Sequence, residues 1–192
     1  MRKLIVTEFV SLDGVMEAPG GEEGFAHSGW VFDFMSAEQE AYKLRETLES
    51  EALLLGRVTY EGFAGAWPQR RGEFADKMNA MPKYVASTTL TELDWSNSSL
   101  IEDHVPAEVA KLKQGDGGPM LVAGSRTLVH TLLEHNLVDE LRLMVFPVIL
   151  GSGRRVFPET PDKTVLELAS TQSFESGVQV HSYHPVQDPA AG

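Results

Sequence analysis

Ala52-Leu53-Leu54-Leu55-Gly56-Arg57-Val58-Thr59-Tyr60-Glu61 is an apolar run that ends on glycine and passes at once into a segment bearing a guanidinium and a hydroxyl. The pattern returns at Met120-Leu121-Val122-Ala123-Gly124-Ser125-Arg126-Thr127-Leu128. An apolar strand, a glycine and then a helix start is how an open α/β sheet builds an anion site. The glycine lets backbone approach a phosphate, and the helix N-terminus presents N–H groups with no partner in the helix. One such segment is compatible with an ordinary strand-to-helix turn. Two, each with an arginine and a hydroxyl, point to a ligand that carries several phosphates.

Outward from these segments, strand and helix patterns alternate. Residues 3–11 read as a central strand buried on both faces, closed by Ser11-Leu12-Asp13-Gly14. A glycine-rich loop follows (Pro19-Gly20-Gly21, Gly24, Gly29), long enough to predict a functional flap. Ser36-Ala37-Glu38-Gln39 is a capping box, with Ala41, Leu44 and Leu48 on one face of the helix it opens. Strand 52–55 leads into a helix expected from about Thr59. Pro82 precedes a strand at Lys83–Ser87, and Pro106 begins a short helix. Strand 120–123 leads into a helix with Leu128, Leu132 and Leu133 as its apolar side. Strand 141–146 runs into the Leu150–Arg155 loop, and strands at about 164–174 and 178–184 meet around Ser176-Gly177 as a hairpin. The expectation is one α/β domain over residues 1–187, a mixed and mainly parallel sheet with an antiparallel C-terminal hairpin, and a disordered tail at 188–192.

The net charge of −12 argues against nucleic acid, whose backbone needs a basic face. It also makes Arg57 and Arg126 informative, because an acidic chain must concentrate positive charge locally to hold phosphates. There is no cysteine, hence no disulfide framework or thiol nucleophile. No apolar run approaches the roughly 20 residues of a membrane span. Met1-Arg2-Lys3 passes directly into a strand pattern with no cleavage site, and a cytoplasmic location is expected.

The residues leave the chemistry open between a site and a turn at each position. Gly56, Arg57 and Thr59 either approach a pyrophosphate or form a strand-to-helix turn with Thr59 as a plain N-cap. Gly124, Ser125, Arg126 and Thr127 carry the same two readings. Ser87-Thr88 either contacts a ribose or its phosphate, or is a hydroxyl-rich turn. No GxGxxG, P-loop or Gly-x-Ser-x-Gly pattern occurs. His130 and His135 do not share a helix face, and His181 and His184 fall on opposite faces of a strand, so no metal site is expected. Trp30 and Phe34 beside the flap wall a pocket or belong to the core. Asp13, at a strand end beside Gly14, is the better placed of the candidate acids.

Ser11-Leu12-Asp13-Gly14, Leu55-Gly56-Arg57-Val58-Thr59-Tyr60-Glu61, the Lys83–Thr88 strand end, Val122-Ala123-Gly124-Ser125 and Pro147-Val148-Ile149-Leu150-Gly151-Ser152-Gly153 occur in that order. Together they resemble the dihydrofolate reductase-like superfamily, and within it the stand-alone proteins similar to the C-terminal reductase domain of the riboflavin-biosynthesis deaminase/reductase. The resemblance covers roughly Arg2 to His184. It implies a three-layer dihydrofolate reductase-like fold, NADPH as cofactor and commonly a homodimer. It places Gly56, Arg57 and Thr59 at the first phosphate-binding turn, and Ser87 and Thr88 near the adenosine ribose and its phosphate. Gly124, Ser125, Arg126 and Thr127 fall at the turn against the pyrophosphate. Asp13 and Gly14 fall near nicotinamide and substrate, with Trp30 and Phe34 lining the substrate pocket. Counting back from Gly56 puts Glu40 near the substrate-binding acid, so Asp13 and Glu40 are the catalytic candidates. Val15 stands where the riboflavin-pathway reductases usually carry a basic residue. The implied activity is hydride transfer from NADPH to a small heterocycle, of pteridine or 5-amino-6-(5-phosphoribosylamino)uracil type. The alternative is a non-catalytic NADP-binding protein that retains the fold.

Overall fold

Strands β1 (Leu4–Ser11), β2 (Ala52–Gly56), β3 (Lys83–Ala86), β4 (Ser98–Ile101), β5 (Met120–Val122), β6 (Glu140–Phe146), β7 (Leu166–Ser173) and β8 (Gln179–Pro185) form one sheet. The computed structural model describes residues 1–157, 159 and 163–186. The strand order is β4-β3-β2-β5-β1-β6-β8-β7, parallel from β4 to β6 and antiparallel at β6-β8-β7. This is the mixed sheet with a terminal hairpin that the pattern predicts. The expected tail at 188–192 lies outside the described residues.

Side-chain alternation divides the core into two faces. Leu4, Val6, Leu54, Met120 and Val122 pack with Val109 of helix α4 (Val105–Gln114) and Leu128, Val129 and Leu132 of α5 (Arg126–Glu134). Ile5, Leu53, Leu55, Val85 and Leu121 pack with Tyr60 of α2 (Arg57–Ala66) and Met78 of α3 (Glu73–Ala80). Helix α1 (Ala37–Glu49) lies on this second side, where Glu46 accepts from the Thr7 hydroxyl at 3.1 Å. The result is three layers. Helix α3 and strand β4 carry too few apolar residues to be read from the pattern; Ser98-Ser99-Leu100-Ile101 offers only two.

Two local expectations change. Ser36 does cap α1, accepting from the Gln39 amide at 3.4 Å, but the buried residues of α1 are Gln39, Glu46 and Thr47, while Ala41 and Leu48 face solvent. A polar network explains the reversal. Lys43 Nζ donates to Thr7 Oγ1 at 2.8 Å and pairs with Glu46, and Arg142 of β6 approaches Glu46 at 3.4 Å, so α1 docks through ion pairs and hydrogen bonds. Helix α2 begins at Arg57, two residues before the expected start. Gly56 is the extended N-cap residue (φ −80°, ψ 162°), which puts Thr59 inside the first turn and not at the cap.

Candidate functional site

The two glycine turns form one structure. The Gly56 N–H donates to the Gly124 carbonyl oxygen at 3.3 Å. A Cβ on Gly56 would overlap Ser125 Oγ and stand 3.0 Å from Ser125 Cβ; one on Gly124 would stand 2.7 Å from Thr59 Oγ1. Gly124 has φ +94°, which L side chains rarely adopt, and the Gly124–Ser125 peptide is cis. Only hydrogen fits at either glycine. Helices α2 and α5 both start from this junction, and neither Gly56 nor Ser125 provides a side-chain cap. Two sets of first-turn N–H groups therefore open side by side, a donor set that suits a pyrophosphate.

The other expected cofactor residues sit around this junction. Register pairs Gly56 with Ala86, so Ser87 and Thr88 follow β3 beside Arg57 at the same end of the sheet. Ser87 Oγ accepts from the Thr89 and Leu90 amides at 3.1 and 3.0 Å, which is the hydroxyl-turn geometry, while Thr88 is exposed. Arg57 is exposed and paired with Glu61 one turn along α2, at 2.9 Å. Arg126 Nε donates to the Arg155 carbonyl at 2.9 Å, and Thr127 is exposed on the first turn of α5.

Asp13 does something sequence spacing does not show. Its carboxylate accepts from Ser11 Oγ at 2.7 Å, from the Leu150 amide at 3.1 Å and from the Gly151 amide at 3.0 Å, clamping the end of β1 to the loop after β6. The Ser11 hydroxyl, with the two amides, holds the carboxyl down at about 2. A carboxylate so supplied is an acceptor at neutral pH, and it holds the loop after β6 against the end of β1. Gly14 (φ +85°) accepts from the Val156 amide at 3.0 Å, and Arg155 Nη1 lies 3.8 Å from where a Cβ on Gly14 would stand. A guanidinium thus reaches the position beside Val15.

The clamped loop forms one wall of a cleft of about 830 Å³. Val148 and Leu150 face the flap residues Glu22, Phe25, Trp30 and Phe34 across it. Trp30 is 5% exposed, packs edge-on to Phe146 at 5.3 Å and donates its indole N–H to the Glu17 carbonyl at 2.9 Å. Phe34 is half-buried, 6.0 Å from the same Phe146 ring. Trp30 and Phe34 are therefore both core and cleft wall.

Glu40 is exposed on α1, and the acid that α1 turns to the sheet is Glu46. The acid that spacing missed is Glu8, 7% exposed in the central strand, with Oε1 lacking a partner among the described residues. Desolvation by burial pushes its carboxyl up to about 8, against Lys43 and the Gly124 backbone amide, which pull it down; Glu46 adds to the rise. Its signal was a lone acid inside the apolar run Leu4-Ile5-Val6-Thr7-Glu8-Phe9-Val10. Among the described residues no cluster of three or more His, Asp or Glu could hold a metal ion, and no helix is long and apolar enough to cross a membrane.

A family model described as the RibD C-terminal domain matches residues 2–180. The chain is 29% identical over 192 residues to the uncharacterised Bacillus subtilis protein YyaP, covering 95% of each. A structure from Shewanella sp. PV-4, assigned to riboflavin biosynthesis, is similar with TM-score 0.75 and 19% identity, covering 96% of this chain and 99% of that one. Dihydrofolate reductase from Enterococcus faecalis, complexed with NADP(H) and RAB-propyl, is similar with TM-score 0.62 and 16% identity, covering 96% of this chain and 97% of that one.

Proposed function

Because the chain belongs to the RibD C-terminal domain family, we propose that it is an NADPH-dependent reductase whose paired glycine turns hold the cofactor phosphates. The observation that carries this reading is the contact between the Gly56 and Ser125 turns, which opens two uncapped helix N-termini side by side in a chain of net charge −12. Arg57 and Arg126 add positive charge at that place, and Ser87 and Thr88 extend the site toward the β3 end of the sheet. When bound, the cofactor supplies a hydride from its nicotinamide.

The chain's own residues position the substrate. Asp13 fixes Leu150, and the rings of Trp30 and Phe34 wall the cleft, which suits a flat heterocycle of pteridine or ribosylaminouracil type. The second reading, a non-catalytic NADP-binding protein, is favoured by the commitment of Asp13 to its clamp and the exposure of Glu40. A homodimer belongs to the proposal as well. Edge strand β7 is exposed along almost its whole length, with Leu168 53% exposed, and pairing there would cover an open sheet edge.

Thermal-shift titration with NADPH and NADH, followed by turnover assays on pteridines and pyrimidine ribosides, tests the reading. NADPH raises the midpoint and is oxidised by one of these substrates if the chain is a reductase. A shift without oxidation by any of them selects the binding protein, and no shift refutes both. Light scattering at the mass of one chain rejects the dimer.

A further inference from the structure

Charge changes sign between the paired turns and the cleft. Arg57 and Arg126 open the helices at the turns, whereas the cleft is lined by no lysine or arginine among the described residues. Its acidic side chains are Glu22, Glu23 and Asp33. Glu23 and Asp33 have no ion pair among the described residues, and Glu22 accepts from the Gly20 amide at 3.0 Å. The guanidiniums of the neighbouring loop are engaged elsewhere: Arg154 pairs with Glu17 at 3.4 Å, and Arg155 donates to the Asp13 carbonyl. Helix α1, which follows the flap, adds Glu38 and Glu40 in its first turn. His27, also in the lining, packs edge-on to Phe25 at 5.5 Å.

The same cleft is walled by the rings of Phe25, Trp30, Phe32 and Phe34. Trp30 and Phe34 meet Phe146 and serve the core as well. Phe32 is 61% exposed, on the single 3-10 turn Phe32–Phe34 that also carries Asp33. Its ring rests against two flap glycines: Cδ2 stands 3.1 Å from where a Cβ on Gly29 would be, and Cε2 3.6 Å from one on Gly21. The flap is bonded to itself, with the Gly29 N–H on the Ala18 carbonyl at 2.9 Å and the Ser28 hydroxyl on the Glu22 carbonyl. An exposed aromatic ring therefore stands on a fixed frame beside carboxylates that have no cation to pair with.

We propose that the cleft binds a flat organic cation, a heterocycle whose positive charge sits on an amidinium or a ring nitrogen, and that it rejects phosphorylated substrates. This rests on the reductase reading above, which makes the cleft the place of the substrate. The face of an aromatic ring is the negative pole of its quadrupole and attracts a cation. Carboxylates along one concave wall focus negative potential into it, and the net charge of −12 acts in the same direction. A phosphate entering the cleft meets three carboxylates and no guanidinium or ammonium to answer its charge. The two ends of the site are thus matched to opposite charges, cofactor phosphates at the glycine turns and a cation under the flap.

The test uses three flat bicyclic probes of different charge, 1-methylquinolinium, quinoline and 1-naphthyl phosphate, titrated by calorimetry into the protein at pH 7.5. The cation is expected to bind roughly tenfold tighter than uncharged quinoline, the scale of a cation–π contact joined to nearby carboxylates. 1-Naphthyl phosphate neither binds nor displaces the cation. In the double variant E23Q/D33N, both changes being at exposed positions, the melting midpoint holds, quinoline affinity is unchanged and the advantage of the cation falls to about twofold. The variant E102Q/D103N removes the same charge beyond β4, at the far edge of the sheet, and leaves all three affinities unchanged. Equal binding of cation and neutral probe, binding of 1-naphthyl phosphate as tight as the cation, an equal effect of both double variants, or binding of none of the probes overturns the proposal. NADPH thermal shift, read in parallel, separates it from the reading beneath it. Discrimination among the probes without a shift refutes the reductase and keeps the charge assignment, and a shift without discrimination does the reverse.

Discussion

The Gly56 amide donates to the Gly124 carbonyl oxygen at 3.3 Å, joining segments that lie far apart in the sequence. With Ser125 seated where a Cβ on Gly56 would be, the starts of α2 and α5 are held in one fixed relation. Gly56→Ala must push Ser125 away, and overpacking of this kind costs about 1–3 kcal/mol. Urea denaturation is expected to show that loss together with weaker NADPH binding. Adding Ser125→Gly removes the Cβ and hydroxyl in the way and restores part of the stability.

Arg57 is tied to Glu61 on an exposed helix surface, a pair that contributes little to stability. Arg57→Ala is therefore expected to leave the melting midpoint nearly unchanged while weakening NADPH by about 1–3 kcal/mol, the scale of a lost charge-assisted hydrogen bond. Glu61→Gln releases Arg57 and leaves the affinity equal or tighter. Unchanged NADPH affinity in Arg57→Ala, measured by calorimetry, removes this residue from the site.

The Asp13 clamp has an acid limb. Its folded pKa, about 2, lies below the ordinary 3.8, so it stabilises the fold above the unfolded value and loses that contribution as pH falls from about 3.8 through about 2. Asp13→Asn flattens this limb in acid-denaturation curves. Because the clamp positions Leu150 in the cleft wall, the same variant raises the substrate KM more than it changes NADPH affinity.

Much of this architecture is written in local pattern. Strands β1, β2 and β5, both glycine turns and the terminal hairpin follow from apolar runs and turn residues. Relationships between distant segments are not. Nothing near Asp13 announces that its partners are the amides of Leu150 and Gly151, and counting back from Gly56 does not say that Glu40 is exposed on α1 while Glu46 is buried. The docking face of α1 escaped for a physical reason: periodicity finds apolar stripes, and this face is held by Lys43, Glu46 and Arg142. Glu8 was legible as a lone acid in an apolar strand, but its orphaned oxygen and its level with Gly124 needed the register of the sheet.

Lys83 is another buried charge that the pattern hid. It is 0% exposed, donates to the carbonyls of Asn79, Met81 and Ser96 at 2.9, 2.8 and 3.0 Å, and lies 4.2 Å from the centre of the Trp95 ring. Lys83→Met keeps the volume but strands three carbonyls, for an expected loss on the order of 3 kcal/mol in chemical denaturation. Burial pulls its pKa from 10.5 to about 8. Between those values the unfolded chain binds more protons, so this group makes stability rise with pH across that window, and Lys83→Met lacks the slope.

Hydrogen exchange with and without NADPH tests the central claim most directly. The expected result is slowed exchange at the first-turn amides of both helices, Arg57 to Thr59 and Arg126 to Leu128, with little change along β7 and β8. Binding that leaves both first turns unprotected contradicts the assignment of the paired glycine turns as the phosphate site.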